Sequence, residues 1–155
     1  MRVFASLDEL AGAVGETLGP GPWFAVGQDR IEAFADATDD HQWIHVDPAR
    51  AAAGPYGTTI AHGHLTLSLL PSLSHSLYRV DGVRMAVNYG LNRVRFPAAL
   101  PSGTRVRASL HLDRTDPVPD GLQLAATVTV HPEHGAKPCC VAETLTRFVT
   151  AAPAA

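Results

Sequence analysis

The hydrophobic repeat of this chain changes period near its midpoint, and that change constrains the fold more than any other feature. Up to about residue 78 apolar residues recur every three or four positions; from about residue 83 they recur every two. The clearest run of the first kind is Leu65, Leu69, Leu73 and Leu77, joined by Leu70. Leu67 falls off that stripe, so the segment is apolar on more than one side, as buried helices are. Pro71 removes a backbone donor and is expected to kink this helix or end its first half. In the second half, Val106, Ala108, Leu110 and Leu112 alternate with Arg105, Arg107, Ser109 and His111. Leu122, Leu124, Ala126, Val128 and Val130 alternate with Gln123, Thr127 and Thr129. Both read as half-buried strands. Residues 83–96 are also strand-like, but Met85, Val87, Tyr89 and Leu91 are odd while Val94 and Phe96 are even; a bulge near Gly90 to Asn92 accounts for the switch. Cys139 to Val149 reads as a last strand, after turn signals at Asp116 to Gly121 and His131 to Pro138. Helices first and an antiparallel meander second make an α+β fold, with a long apolar helix laid on a curved sheet.

The elements before the long helix are shorter. Ser6 and Glu9 form a capping-box pattern, and Leu7, Leu10, Val14 and Leu18 follow at helical spacing, which predicts a helix over 6–18. Gly19-Pro20-Gly21-Pro22 stops it. Trp23 to Val26 reads as a short strand and residues 28–37 as a helix with Ile31, Phe34 and Ala35 on one face. Asp47-Pro48 is an N-cap followed by proline, so a short helix is expected to about Ala53. Gly54 to Thr59 is a loop.

The chain's 155 residues suit one domain over 1–155, with no repeat, no linker and a small Ala-Ala-Pro-Ala-Ala tail as its low-complexity tract. Apolar residues at 46% and charged residues at 17% exclude a disordered chain and hint at an oligomer interface. The net charge of −3 hides an acidic part, with nine acids and two arginines in residues 1–47, and an Arg-rich part, with six arginines and one acid in 79–107. That balance argues against a nucleic-acid partner. Cys139 and Cys140 are neighbours in an extended segment and poorly placed to pair with each other, which fits a reducing compartment. No run approaches the ~18 apolar residues of a membrane helix, and Asp8-Glu9 interrupts any signal-peptide core. The expected location is cytoplasmic.

The segment from Thr38 to Asp47 is the densest in titratable side chains. An Asp and a His together can hold and activate a water, since the carboxylate accepts its proton and an imidazole gives or takes one near neutral pH. Asp47 reads as a helix cap, and for Asp40 capping and catalysis stand level on this evidence. Ile60-Ala61-His62-Gly63-His64 sits where the apolar helix begins. Free backbone N–H groups and a bare glycine there suit a developing oxyanion, and equally suit an ordinary helix start. His41 and His45 are four apart and His62 and His64 two apart, yet no HExxH occurs and no Cys lies near, so no metal site is expected. No GxSxG or P-loop pattern is present. The arginines of 79–107 either bind a phosphorylated ligand or form a solvated sheet face.

Phe34 to Asp47, taken with Gly57-Thr58-Thr59-Ile60-Ala61-His62-Gly63, resembles the MaoC-like family of (R)-specific enoyl-CoA hydratases. That family carries an Asp, then a His five residues later, here Asp40 and His45. Val87 to Pro97 resembles its strand after the central helix, and the likeness covers about residues 23 to 149. The resemblance implies a hot-dog fold, a homodimer with the acyl tunnel near its interface, and reversible hydration of a trans-2-enoyl thioester, carried on CoA or on an acyl-carrier protein, to the (R)-3-hydroxyacyl thioester. It implies that Asp40 and His45 position one water, with Asp40 as base and His45 helping to deliver the proton, though the division of roles stays open. Gly63 would polarise the thioester carbonyl. Trp43, Tyr56 and the Leu-rich helix would form the acyl pocket, His62 would border the substrate, and Arg93 and Arg95 would meet the CoA phosphates. The thioester itself activates the β carbon, so no metal or other cofactor is expected. Two departures stand out: Asp39 replaces a glycine common before the catalytic Asp, and Gln42-Trp43 replaces Asn-Pro. Asp39 could raise the pKa of Asp40 and denies the backbone some conformations open to glycine. The same fold also serves acyl-CoA thioesterases and non-catalytic acyl-thioester-binding subunits, which remain the alternatives.

Overall fold

The computed structural model describes residues 1–150; the Ala-Ala-Pro-Ala-Ala tail lies outside the described residues. In chain order the elements are β1 (Arg2–Phe4), α1 (Leu7–Gly12), β2 (Thr17–Leu18), β3 (Phe24–Ala25), α2 (Gln28–Thr38), α3 (Trp43–Val46), α4 (Pro48–Ala52), α5 (Gly63–Ser68), α6 (Leu70–His75), β4 (Tyr78–Val80), β5 (Val83–Arg95), β6 (Arg105–Val118), β7 (Gly121–Pro132) and β8 (Cys140–Thr150). The main sheet runs β2-β6-β7-β8-β5, with β3 also paired to β6, and every pairing in it is antiparallel. β1 and β4 form a separate parallel pair.

The leucine stripe is buried as its spacing predicts: Leu65, Leu69, Leu70, Leu73 and Leu77 share one cluster with Val106, Ala108, Leu110 and Leu112 of β6 and Leu124, Ala126, Val128 and Val130 of β7. Pro71 divides the helix into α5 and α6. Leu69 caps both halves, and the proline ring leaves the Leu67 carbonyl without its usual i+4 donor. The expected irregularity of β5 is present, with register shifts against β8 between Asn88 and Gly90 and between Leu91 and Arg93. Its consequence is less expected. Ala86, Asn88, Gly90 and Leu91 line a cavity beside the sheet, and Met85, Val87, Tyr89 and Leu91 are exposed.

The expected helix over 6–18 is too long. Ser6 does cap it, accepting from the Glu9 amide, but the helix ends at Gly12. Gly15 takes a left-handed φ of 93° and its amide bonds to the Leu112 carbonyl; Thr17 and Leu18 then pair with His111 and Leu110. The edge of β6 needed a partner, and a strand there satisfies more backbone groups than another helical turn. Val14, assigned to the helix's apolar face, is exposed. Asp47 caps α4 through the Arg50 amide, as expected. Cys139 and Cys140 are both buried free thiols whose pKa values burial pushes up, to about 12 and about 11.

Candidate active site

Helix α2 ends on Asp39, which adopts φ 56° and ψ 22°, the left-handed conformation that glycine takes most easily. The short side chain of an aspartate tolerates this better than most residues. Asp39 thus takes a conformation that glycine also favours, and the chain reverses into Asp40. The segment from Thr38 to Asp47 then holds one further helical turn, α3. It presents His45 inward, 6% exposed.

His45 is held from three sides. Its amide bonds to the Gln42 carbonyl at 2.9 Å. Its carbonyl accepts from Gln28 Nε2 at 2.8 Å, and Gln28 Oε1 in turn accepts from the Thr59 hydroxyl at 2.6 Å. Its ring Nδ1 lies 2.7 Å from the Ile60 carbonyl. A carbonyl only accepts, so Nδ1 carries the hydrogen and Nε2 presents a lone pair. Ile60 returns a bond, donating its amide to the Ile44 carbonyl at 2.9 Å, and Ala61 donates to Leu100 at 2.8 Å. The strip leading into α5 is thereby pinned to α3 on one side and to the Leu100 segment on the other. Burial, above all, lowers the His45 pKa below its ordinary 6.5; the Ile60 bond and the Asp40 charge oppose this, and His62 adds to it.

His62, at the start of α5 and 3% exposed, stacks on His45 with ring centroids 3.7 Å apart and planes 25° from parallel. Its Nε2 donates to the Asp40 carbonyl at 2.9 Å and lies 4.0 Å from Asp40 Oδ2. Its Nδ1 is buried with no partner among the described residues. The ring of Phe34 closes the other side at 5.1 Å. Asp40 itself keeps its carboxylate half in solvent, at 54%.

Asp40, His45 and His62 each contribute a donor atom to a cluster whose members lie within 4.8 Å of one another. Three such atoms invite a metal, but two of the four ring nitrogens already serve carbonyls. The rings also stack face to face, so the remaining lone pairs lie in nearly parallel planes and do not converge on one ion at the ~2.0–2.1 Å zinc requires. The spacing suits a water instead, because two hydrogen bonds of about 2.8 Å each bridge such a gap.

The other residues singled out from sequence are scattered. Gly63 is the first residue of α5, directly after His62, and a Cβ there would meet the Phe96 ring at 2.9 Å. Trp43 lies beneath the Arg50 guanidinium, 4.5 Å from its ring centre, with the same ring packed on Gly54. Tyr56 is 52% exposed in the loop before Thr59. Arg93 and Arg95 are exposed on β5, close in sequence to Phe96. His41 pairs with Asp36 at 2.9 Å, which raises its pKa and keeps it out of the cluster. Gln28, Thr59, Phe34 and Phe96 surround the site; Gln28 carried no signal beyond helix membership, and the other three lay within the segments of resemblance without an assigned role.

A cavity of about 670 Å³ lies between α5–α6 and the sheet. Its nearest helical lining residue is Leu67, about one turn past Gly63, and none of Asp40, His45 or His62 faces it.

A family model described as a MaoC like domain matches residues 9–133. The chain belongs to the MaoC-like domain family. It is 55% identical over 150 residues, 96% of its length and 99% of the relative's, to 3-hydroxyacyl-thioester dehydratase Z of Mycobacterium tuberculosis. Among solved structures, R-hydratase PhaJ1 from Pseudomonas aeruginosa superposes with a TM-score of 0.72 at 20% identity, over 98% of this chain and 94% of that one. A monoamine oxidase regulatory protein from Archaeoglobus fulgius gives 0.76 at 24% identity, covering 98% of each chain. At those identities the structural likeness carries the fold, and the fold is the hot-dog fold expected of MaoC-like chains.

Proposed function

We propose that this MaoC-like chain is a 3-hydroxyacyl-thioester dehydratase that adds water reversibly to a trans-2-enoyl thioester and yields the (R)-3-hydroxyacyl product. The observation that carries this reading is that the Asp40 carboxylate lies within 4.8 Å of a ring nitrogen of His45, an imidazole whose Nδ1 is committed to the Ile60 carbonyl. A water between them hydrogen-bonds to both; as it attacks, it gives up one proton to the Asp40–His45 pair and keeps the other as the hydrogen of the product hydroxyl. As its oxygen bonds to C3, the π pair of the enoyl group moves to C2 and the thioester oxygen. A proton returned from the Asp40–His45 pair to C2 completes the addition, and the reverse sequence is the dehydration. Because His45 stays neutral near pH 7, it both accepts from the water and, once protonated, donates to C2.

Gly63 supports the same chemistry. The first amides of a helix have no partner within it, and the absence of a side chain lets the thioester oxygen approach. His62 acts as a positioning residue: it lies behind His45, and its hydrogen bond holds the Asp40 backbone. This replaces the substrate-contacting role expected from sequence. Arg93 and Arg95 are assigned to the phosphates of CoA, and Trp43 and Tyr56 to the rim. No metal or other cofactor enters the proposed steps. The protein is read as one domain and as cytoplasmic, consistent with its free buried thiols and with the lack, among the described residues, of a helix long and apolar enough to cross a membrane. It is read as a homodimer because β5 ends the sheet, leaving one backbone edge and its exposed apolar side chains without a partner among the described residues.

Crotonyl-CoA hydration, followed by loss of the enoyl-thioester absorbance with chiral analysis of the product, tests the reading. Asp40→Asn and His45→Gln are each expected to lower kcat by roughly 10²- to 10⁴-fold. Near-normal rates in both variants, or release of free CoA thiol in place of hydration, would overturn it.

A further inference from the structure

The one-turn helix that carries His45 cannot hold itself in place. α3 has four residues and no side-chain cap, and an isolated turn of that length is unstable in water. Its position is set by what its carbonyls and those just before it meet. The carbonyls of Gln42, Trp43 and Ile44 accept main-chain amides, from His45, Asp47 and Ile60. The His45 carbonyl instead accepts from a side chain, the Gln28 amide, at 2.8 Å. A main-chain bond survives substitution of either residue. This one depends on what residue 28 is.

The Gln28 amide is itself oriented. A carbonyl only accepts, so the end facing His45 is the NH2 group. The amide oxygen then faces Thr59, whose hydroxyl donates to it at 2.6 Å, and Nε2 also donates to Glu32 Oε1 at 3.3 Å. Both ends of the amide are engaged. Thr59 is 3% exposed, so its hydroxyl is kept on this acceptor by the cost of leaving a buried donor unpaired. The two residues also hang from one segment. Val26, two positions before Gln28, donates its amide to the Thr104 carbonyl at 3.1 Å and accepts from the Gly103 amide at 2.8 Å. The Thr59 carbonyl accepts from the Ser102 amide at 2.9 Å. Residues 102–104 therefore anchor both members of the relay, and the His45 carbonyl is held by a frame built outside α3.

We infer that Gln28 is a positioning residue for the catalytic imidazole, and that Thr59 fixes the orientation of the Gln28 amide. This rests on the dehydratase reading and deepens it: both residues act through His45 and not on the substrate. Without the Gln28 amide, α3 is left to pivot about the two bonds that join Ile44 and the His45 ring to Ile60. A reacting group displaced by about 1 Å loses on the order of 10²-fold in rate. Because alignment is lost and substrate contacts are not, kcat and kcat/KM fall together.

The test is crotonyl-CoA hydration by the full chain and by Gln28→Met, Thr59→Val, Thr59→Ser and the double variant that combines Gln28→Met with Thr59→Val, with thermal melts to establish folding. Gln28→Met keeps the length of the side chain and removes its hydrogen bonds. It is expected to lower kcat by about 10- to 100-fold with KM within about twofold of wild type. Thr59→Val removes the hydroxyl at nearly constant shape and should lower kcat about five- to tenfold, whereas Thr59→Ser, which keeps the hydroxyl, should stay within about twofold of wild type. Since the two residues act in series, the double variant should match Gln28→Met to within about twofold. Wild-type kcat in Gln28→Met, a raised KM with unchanged kcat, a Thr59→Ser variant as slow as Thr59→Val, or losses that multiply in the double variant would each overturn the inference. A wild-type chain that hydrates no enoyl-CoA would instead strike at the dehydratase reading. Should Gln28→Met fail to fold, the comparison of Thr59→Val with Thr59→Ser decides.

Discussion

Replacing His62 separates positioning from packing more cleanly than any other change in the site. His62→Phe keeps a flat ring in the stack on His45 and in the pocket closed by Phe34, but removes the Nε2 donor to the Asp40 carbonyl. Leaving a buried carbonyl unpaired costs about 1–3 kcal/mol, and the exposure of Asp40 lets water reach this one, so about 1 kcal/mol is expected. In a chain of this size that lowers Tm by roughly 2–4 °C. The effect on rate is expected to be larger than this. A carboxylate displaced by about 1 Å loses on the order of 10²-fold in kcat. KM should hardly move, since His62 lies behind His45. His62→Gln is the informative companion: its side-chain amide reaches about as far as Nε2, so it restores the bond to Asp40 while losing the stack. It should recover kcat to within about tenfold of wild type, by the same loss-of-alignment scale. Steady-state kinetics with thermal melts on both variants decide the matter. A Phe variant with wild-type kcat, or a Gln variant no faster than the Phe variant, would refute the positioning argument.

Other expectations follow from the same geometry. Since His45 titrates below its ordinary 6.5, the acid limb of kcat/KM should lie below pH 6.5. Stability should carry the same sign: the His45 contribution is intact above pH 6.5 and is lost as pH falls through the folded pKa, because the unfolded chain takes up that proton first. His41, whose pKa Asp36 raises, contributes the opposite slope, so the difference in urea midpoint between wild type and His45→Gln across pH 5–8 isolates the term; a limb above 6.5 would contradict it. Gly63→Ala should fold within about 1 kcal/mol of wild type, because alanine favours helix and the half-exposed Phe96 ring has room to swing outward. Its kcat should nonetheless drop about tenfold or more as a donor at the thioester oxygen is crowded, and unchanged kinetics would remove Gly63 from the site. Asp39→Gly should leave activity in place and shift stability by less than about 1 kcal/mol, since relief of the left-handed φ is offset by glycine's greater freedom when unfolded. A large loss of kcat would show that the Asp39 carboxylate matters to Asp40.

The order of elements was legible because period depends on side chains that each element must bury. The leucines four apart from Leu65 to Leu77 and the alternation in β6 and β7 have one solution each, and both are observed. Pro71 and the β5 irregularity were legible for a similar reason: a missing donor and a parity switch are local and unambiguous. Helix α1 was overextended because Val14 and Leu18 fit a helical wheel, while the competing demand came from β6, about 95 residues later in the chain. Local spacing carries no trace of an unpaired edge that far away. The same limit hid β1, whose partner β4 lies beyond the central helix.

The site divides along the same line. Asp40 and His45 were visible because their chemistry and spacing lie in one short segment. Their capacity to work together depends on contacts that cross the chain: Gln28 reaches the His45 carbonyl, Thr59 holds Gln28, Ile60 fixes the ring tautomer, and His62 joins Asp40 to the stack. None of these residues is unusual for its element. Gln28 reads as the first residue of a helix and Thr59 as loop. What sets them apart is that each satisfies a polar group next to a buried imidazole, a requirement that exists only once the fold has buried it. The His45 ring must be dry to stay neutral and fixed to keep its lone pair toward the proposed water. Drying it without these partners would leave its own nitrogen and carbonyl unpaired. The cluster is therefore best regarded as a buried hydrogen-bond network with one open position, and substitutions at Gln28 or Thr59 belong to the same coupled unit as His45 itself.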